Sequence, residues 1–383
     1  MSISANWNYP TAIRFGAGRV KELPDHARAL GMARPLLVTD KALATLPITQ
    51  NALALLAAAG LGGAVFSDVR SNPTGEDLEA GIAAYRAGAH DGVIAFGGGS
   101  GLDLGKLVAF AAHQTRPIWD FEDVGDWWTR ADSKAIAPIL AVPTTAGTGS
   151  EVGRAGVITD AKAHVKKVIF HPKMMPGLVI CDPELTVGMP PLITAGTGLD
   201  AFAHCLEAFC APSYHPLAEG IALEGMRLVK EYLPRAYQSP TDIEARGHMM
   251  SAAAMGATAF QKGLGAIHAL SHPIGALYNT HHGMTNAVVM PAVLQANRAG
   301  IEQKIKRLAA YLDIAGGFDG FLGFVRKLSA ELEVPANLSA FGVPRDEFDR
   351  IVAMSLEDPT AGGNPLPLTP ELASAMLAAA FGD

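Results

Sequence analysis

Apolar and polar positions change rhythm about halfway along the chain. In the first half, short apolar runs alternate with stretches of helical period. Residues 35–39 (PLLVT), 64–69, 92–96 (GVIAF) and 136–142 (IAPILAV) predict strands. Between them, residues 50–59, 75–87 and 101–112 predict helices, the first with Thr49 as N-cap and Gly60 as its stop. Strands and helices alternating at this spacing imply an α/β domain with a mostly parallel sheet and helices on both faces. From about Pro190 onward, β-branched runs become scarce. Helical periodicity then covers residues 198–211, 216–233, 244–262, 265–278 and 286–296, with amphipathic segments continuing to the end. The turn-rich Met189-Pro190-Pro191 marks the boundary between an α/β domain over 1–189 and an all-helical domain over 190–383. A cleft between two such domains is a favoured place for a ligand.

Composition narrows the class. Of 383 residues, 49% are hydrophobic and 17% charged, which favours a compact core over disorder. A net charge of −7 disfavours a nucleic acid or an anionic membrane as partner. Three cysteines, Cys181, Cys205 and Cys210, make neither a disulfide framework nor a thiolate metal site, and fit a reducing cytosol. The N-terminal stretch lacks a basic segment followed by an apolar run, so it does not read as a signal peptide. The alanine-rich run at 52–61 falls short of the roughly 20 residues of a membrane span. A soluble, cytoplasmic protein is expected.

Two loops carry phosphate-binding chemistry. Gly97-Gly98-Gly99-Ser100 follows the strand GVIAF and opens a helix. Glycines there let the backbone approach a ligand, and a helix N-terminus offers free N–H groups to a diphosphate. Ser100 is expected to cap that helix. The motif continues as GGGS-x-x-D-x-x-K through Asp103 and Lys106. Pro143-Thr144-Thr145-Ala146-Gly147-Thr148-Gly149-Ser150 follows another strand and offers hydroxyls for phosphate or ribose. Asp40, directly after an early strand, suits an adenosine ribose and repels a 2′-phosphate, favouring NAD over NADP. It is equally placed to cap the helix that begins at Lys41.

A second group of residues has metal-ligand spacing. Asp200 and His204 stand four apart in GLDAFAHCLEAF, on one face of a helix. His268 and His272 repeat that spacing in GAIHALSHPIGAL, and His282 follows in YNTHHG, where Asn279 and Gly283 predict a turn. One carboxylate with several imidazoles suits Fe(II), Zn(II), Mn(II) or Ni(II) rather than Ca(II) or Mg(II). A Lewis acid there would polarise an alcohol or carbonyl oxygen while a nicotinamide exchanges the hydride. Cys205 points away around the helix and reads as packing, as do Trp127 and Trp128.

Together, GGGSGLDLGK, PTTAGTGSEV, GLDAFAHCLEAF and GLGAIHALSHPIGALYNTHHG resemble the iron-containing (group III) alcohol dehydrogenases, from about Tyr9 to NPLPLT near the C-terminus. That resemblance implies a dehydroquinate synthase-like fold, with an N-terminal dinucleotide-binding domain and a helical domain. It places metal ligands at Asp200, His204, His268 and His282, for Fe(2+) with Zn(2+) as substitute. It puts His272 close to the reacting atoms, and NAD contacts at Asp40, Gly97, Gly98, Gly99, Ser100, Asp103, Thr144, Thr145 and Thr148. Lys167 would meet the nicotinamide ribose, and Asn72 would line the cofactor cleft. A homodimer is implied too, with a strand at 12–15 adding across the interface. Gly153, where relatives carry threonine, and Leu366, where they often carry arginine, depart from the pattern.

The implied activity is interconversion of a small primary alcohol and its aldehyde. Two alternatives keep the fold: a metal- and NAD-dependent lyase of the dehydroquinate synthase kind, and a hydroxyacid-oxoacid transhydrogenase. The first needs a basic pocket, and no dense Lys/Arg cluster lies near the histidine motifs. A third, a nucleotide-binding protein without catalysis, sits poorly with an intact ligand set.

Overall fold

The computed structural model describes residues 10–162 and 165–383. The reading of residues 1–9, including Tyr9 as the start of the resemblance, lies outside the described residues. The chain divides into two compact units: residues 10–145 with 149–188, and residues 146–148 with 189–383.

The first unit runs β1 (Ala12–Phe15), α1 (Leu23–Ala29), β2 (Pro35–Val38), α2 (Lys41–Ala44), α3 (Pro47–Ala58), β3 (Val65–Phe66), α4 (Gly75–Ala87), β4 (Gly92–Gly97), α5 (Gly99–Ala111), β5 (Ile139–Pro143), β6 (Ala155–Asp160), β7 (Val165–Phe170) and β8 (Leu178–Cys181). Six strands form one sheet in the order β1-β8-β5-β4-β2-β3, and every pairing in it is parallel. Strands β2, β4, β5 and β8 are buried along their whole length, as continuous apolar runs in a parallel sheet should be. Leu37, Ile94, Phe96, Leu140, Val142 and Ile180 pack with Leu23 and Ala27 of α1 and Leu56 of α3 into one core.

Several expectations need adjusting. Helix α3 starts at Pro47 with Leu46 as N-cap, so Thr49 is buried inside the first turn rather than capping it; proline at N1 presets the backbone there. Helix α5 begins two residues early, at Gly99, with Gly98 as N-cap. Ser100 therefore does not cap it, and its Oγ instead donates to the carbonyl of Ser71 at 2.5 Å. The antiparallel hairpin β6–β7 and the strand β8 were not foreseen. Strand β1 forms an edge of the chain's own sheet, paired with β8.

The second unit is helical: α6 (Pro191–Cys210), α7 (Pro216–Gln238), α8 (Ile243–Ala259), α9 (Ala266–Tyr278), α10 (His282–Ala296), α11 (Arg298–Tyr311), α12 (Gly317–Glu331), α13 (Phe348–Glu357) and α14 (Pro370–Phe381). The buried α6 is its axis: sixteen of its twenty residues are buried. At its C-terminal end, Lys262 Nζ donates to the carbonyls of Ala208, Phe209 and Ala211, and Lys304 Nζ to those of Phe209 and Ala211. Cations at carbonyls left over by the last turn complement the helix dipole. Among the described residues, no helix is long and apolar enough to cross a membrane.

Candidate functional site

In the α/β unit, the glycine turn joins β4 to α5 as the motif requires. Gly97 has φ +138°, a left-handed value that favours glycine. A Cβ on Gly98 would stand 3.1 Å from the Thr145 side chain, so the two loops lie against each other. Helix α5 has no side-chain cap, and its first intrahelical bond is from Leu102 N–H to Gly98. Its opening N–H groups therefore remain for an anion. The Thr144 hydroxyl is buried without a partner, as a group waiting for a ligand would be. These features fit a diphosphate-bearing dinucleotide.

The acidic and basic members of the motif have other work. Asp103 accepts from the Ser150 hydroxyl and, at 3.0 Å, from the Val157 N–H. Buried Lys106 reaches Asp103 at 3.2 Å and donates to the carbonyls of Ser150 and Ala155. The pair thus pins the loop after β5 to α5 and the hairpin. Asp40 caps α2 through the Leu43 N–H at 2.9 Å. Lys167, on β7, is paired with Glu122 at 3.1 Å. Asn72 lies in the segment before α4, beside Ser71.

In the helical unit, the metal-type residues converge. Asp200 Oδ1 lies 3.8 Å from His204 Nε2, 3.8 Å from His268 Nε2 and 3.6 Å from His282 Nε2. One ion bound at about 2.0–2.2 Å from each donor spans such separations. Asp200, His204 and His268 are buried, and each offers one donor atom within 4.8 Å of the others. His282 is not in a turn: it is the first residue of α10, behind His281, whose Nδ1 caps the helix by accepting from the Met284 N–H. Helix α10 can cross α6 this closely only because small residues meet at the crossing. A Cβ on Gly283 would lie 2.2 Å from the Gly196 carbonyl oxygen.

Burial and charge act in opposite directions on the two buried rings. Burial pulls His204 down to about 4, despite the opposing pull of Asp200, so the ring is neutral at neutral pH. Burial pulls His268 down as well, but Glu207, Asp200 and Asp358 together outweigh it and the net shift is upward. Glu207 was missed in the sequence, yet its signal was there: Asp200, His204 and Glu207 fall at i, i+4 and i+7 on one helical face. Its carboxylate meets His268 Nδ1 at 2.6 Å. Asp358 was missed as well; it meets His272 Nδ1 at 2.8 Å. The His272 ring stacks on His282, centroids 5.4 Å apart. The loop residues 146–148 belong to this unit, with Gly147 pressed against Thr197 of α6, where a Cβ would approach within 2.7 Å. Thr148 is carried on that loop. Leu366 packs against Gly300 of α11, which makes it a packing residue here.

Comparison with known proteins identifies the family. The profile of the iron-containing alcohol dehydrogenases matches residues 10–183, and that of the Fe-containing alcohol dehydrogenase C-terminal region matches 194–381. A 4-hydroxybutyrate dehydrogenase of Cupriavidus necator is 40% identical, over 93% of this chain and 94% of its own. An NAD-dependent methanol dehydrogenase of Bacillus methanolicus is 30% identical, over 94% and 95%. Among solved structures, a 1,3-propanediol oxidoreductase superposes with a TM-score of 0.93 at 30% identity, covering 98% of this chain and 100% of that one. The chain belongs to the iron-containing alcohol dehydrogenase family and is an oxidoreductase of that type.

Proposed function

We propose that this enzyme interconverts a small primary alcohol and its aldehyde, using NAD(H) and a divalent ion, Fe(2+) or in its place Zn(2+), held by Asp200, His204, His268 and His282. The observation that carries the reading is the buried Asp200 carboxylate with three imidazole nitrogens turned toward it. When bound, the ion supplies a Lewis acid for the substrate oxygen and the nicotinamide supplies the hydride acceptor. The chain's own residues do the rest. Glu207 orients His268. His272, held by Asp358, moves the substrate proton. The first turn of α5 with Gly97, Gly98, Gly99 and Ser100 takes the diphosphate, while Thr144, Thr145 and Thr148 supply hydroxyls. Asp103 contributes by holding Ser150, two residues after Thr148. Asp40, Asn72 and Lys167 line the remainder of the dinucleotide site, and the Asp40 charge selects NAD over NADP.

The three free, buried cysteines fit a reducing compartment such as the cytoplasm. The edge position of β1, with Phe15 exposed, fits a homodimer built along that edge. The 40% relative makes 4-hydroxybutyrate the first substrate to test, followed by 1,3-propanediol and methanol. Metal analysis of the purified protein, with NADH absorbance followed over these alcohols, tests the proposal. Stoichiometric metal with no turnover on any alcohol or aldehyde, with NAD or NADP, would refute it.

A further inference from the structure

Asn286 stands four residues after His282 on α10, fully buried, inside the ligand cluster rather than beside it. Its Nδ2 lies 2.8 Å from Asp200 Oδ1, 3.2 Å from His268 Nε2 and 3.2 Å from His282 Nε2. An amide nitrogen only donates, and its two hydrogens are shared among three acceptors, so an imidazole nitrogen bonded to it presents its lone pair. For His268 this tautomer agrees with its other nitrogen donating to Glu207. The opposite amide orientation would set a carbonyl oxygen against the carboxylate. The orientation adopted leaves Asn286 Oδ1 buried without a partner. The donors are thus kept on the ligands at the expense of the acceptor.

A neutral imidazole nitrogen has a single lone pair. The pairs that accept from Asn286 are the pairs an ion would take. We propose that Asn286 is an internal stand-in for the metal: its two carboxamide protons, shared among Asp200, His268 and His282, hold the three ligands in register, and they give way when a divalent ion claims those atoms. The inference rests on the assignment of these residues as the metal ligands. Asn286 then stabilises the protein before metal enters and weakens metal binding, since loading must break its hydrogen bonds. It sets how readily the site gives up and takes an ion, and it does so without touching substrate.

The test uses the full chain, stripped with a chelator, as wild type, Asn286→Ala and Asn286→Leu, the second keeping the side-chain bulk. Zn(2+) affinity is measured by competition with a chromophoric chelator, and thermal midpoints are taken with and without saturating Zn(2+). Both variants should bind Zn(2+) about tenfold more tightly, the ratio expected for one charge-assisted hydrogen bond. Their stripped forms should melt below stripped wild type, with the gap closing at saturation. Equal or weaker Zn(2+) binding in the variants, beside normal binding in wild type, would overturn the stand-in role alone. Wild type that binds no Zn(2+) would overturn the metal assignment and this inference with it.

Discussion

Glu207 and His268 are joined by a 2.6 Å hydrogen bond, and the other Glu207 oxygen accepts from the Ile267 N–H at 2.7 Å. One carboxylate on α6 thus fixes both the ring and the start of α9 that carries it. Glu207→Gln should reduce Zn(2+) affinity by about 10- to 100-fold, the usual effect of losing a ligand's carboxylate partner. Competition titration measures this, and unchanged affinity would mean that His268 is oriented by other groups.

The His272–Asp358 pair predicts a different signature. Burial raises the Asp358 carboxyl, but His272 and Thr360 together hold it below its ordinary value, so it stays charged behind the ring. Asp358→Asn should lower kcat by about tenfold or more, a share of the roughly 10²–10⁴ that positioned proton transfer contributes. Metal content should be unchanged. Steady-state kinetics with metal analysis decide it; a change in KM alone would assign the pair to binding.

Glu151 gives a pH dependence of stability. Burial pushes its carboxyl up from 4.5 to about 7, against its own backbone hydrogen bond and Lys106. Between those values the folded chain keeps a proton that the unfolded chain has lost, so stability falls as pH rises through that window. Glu151→Gln should therefore melt higher than wild type at about pH 8, with the advantage vanishing near pH 4.5. Parallel melting curves at both ends would contradict this.

Gly283 and Gly220 form a contrasting pair. Gly283→Ala drives a methyl into the Gly196 carbonyl at 2.2 Å and should destabilise the helical unit by about 3 kcal/mol or more. Gly220, inside α7, has nothing within 4 Å of its added Cβ. Gly220→Ala should stabilise by up to about 1 kcal/mol. Denaturant melts of both variants check the signs.

Asp40→Asn keeps an oxygen to accept from Leu43 but removes the charge. The ratio of kcat/KM for NADP to that for NAD should rise. A fixed ratio would free Asp40 of any part in cofactor choice.

Long periodic segments were legible in the sequence. Residues 75–87 and 216–233 gave α4 outright and most of α7. Strand β8, only four residues long, and the half-exposed hairpin β6–β7 lack such a signal, because their strand character comes from pairing. At the site, Asp200 with His204 and His268 with His272 stood out because helical spacing puts donors on shared faces, whereas His282 came as a ligand only through the family resemblance. Asp358 did not stand out, since it meets His272 from 86 residues away. Nor did Asn286, an ordinary helix residue until α6, α9 and α10 close around it.

Residues 146–148 leave the unit of β5, which precedes them, and pack with α6 instead. A fragment ending at 188 and expressed alone would carry this stretch with its packing surface bare. The complementary fragment from 189 would lack the backbone that covers Thr197. The two halves are therefore poor candidates for separate modules, and shuffling them between relatives should succeed only when the crossover respects this borrowed loop.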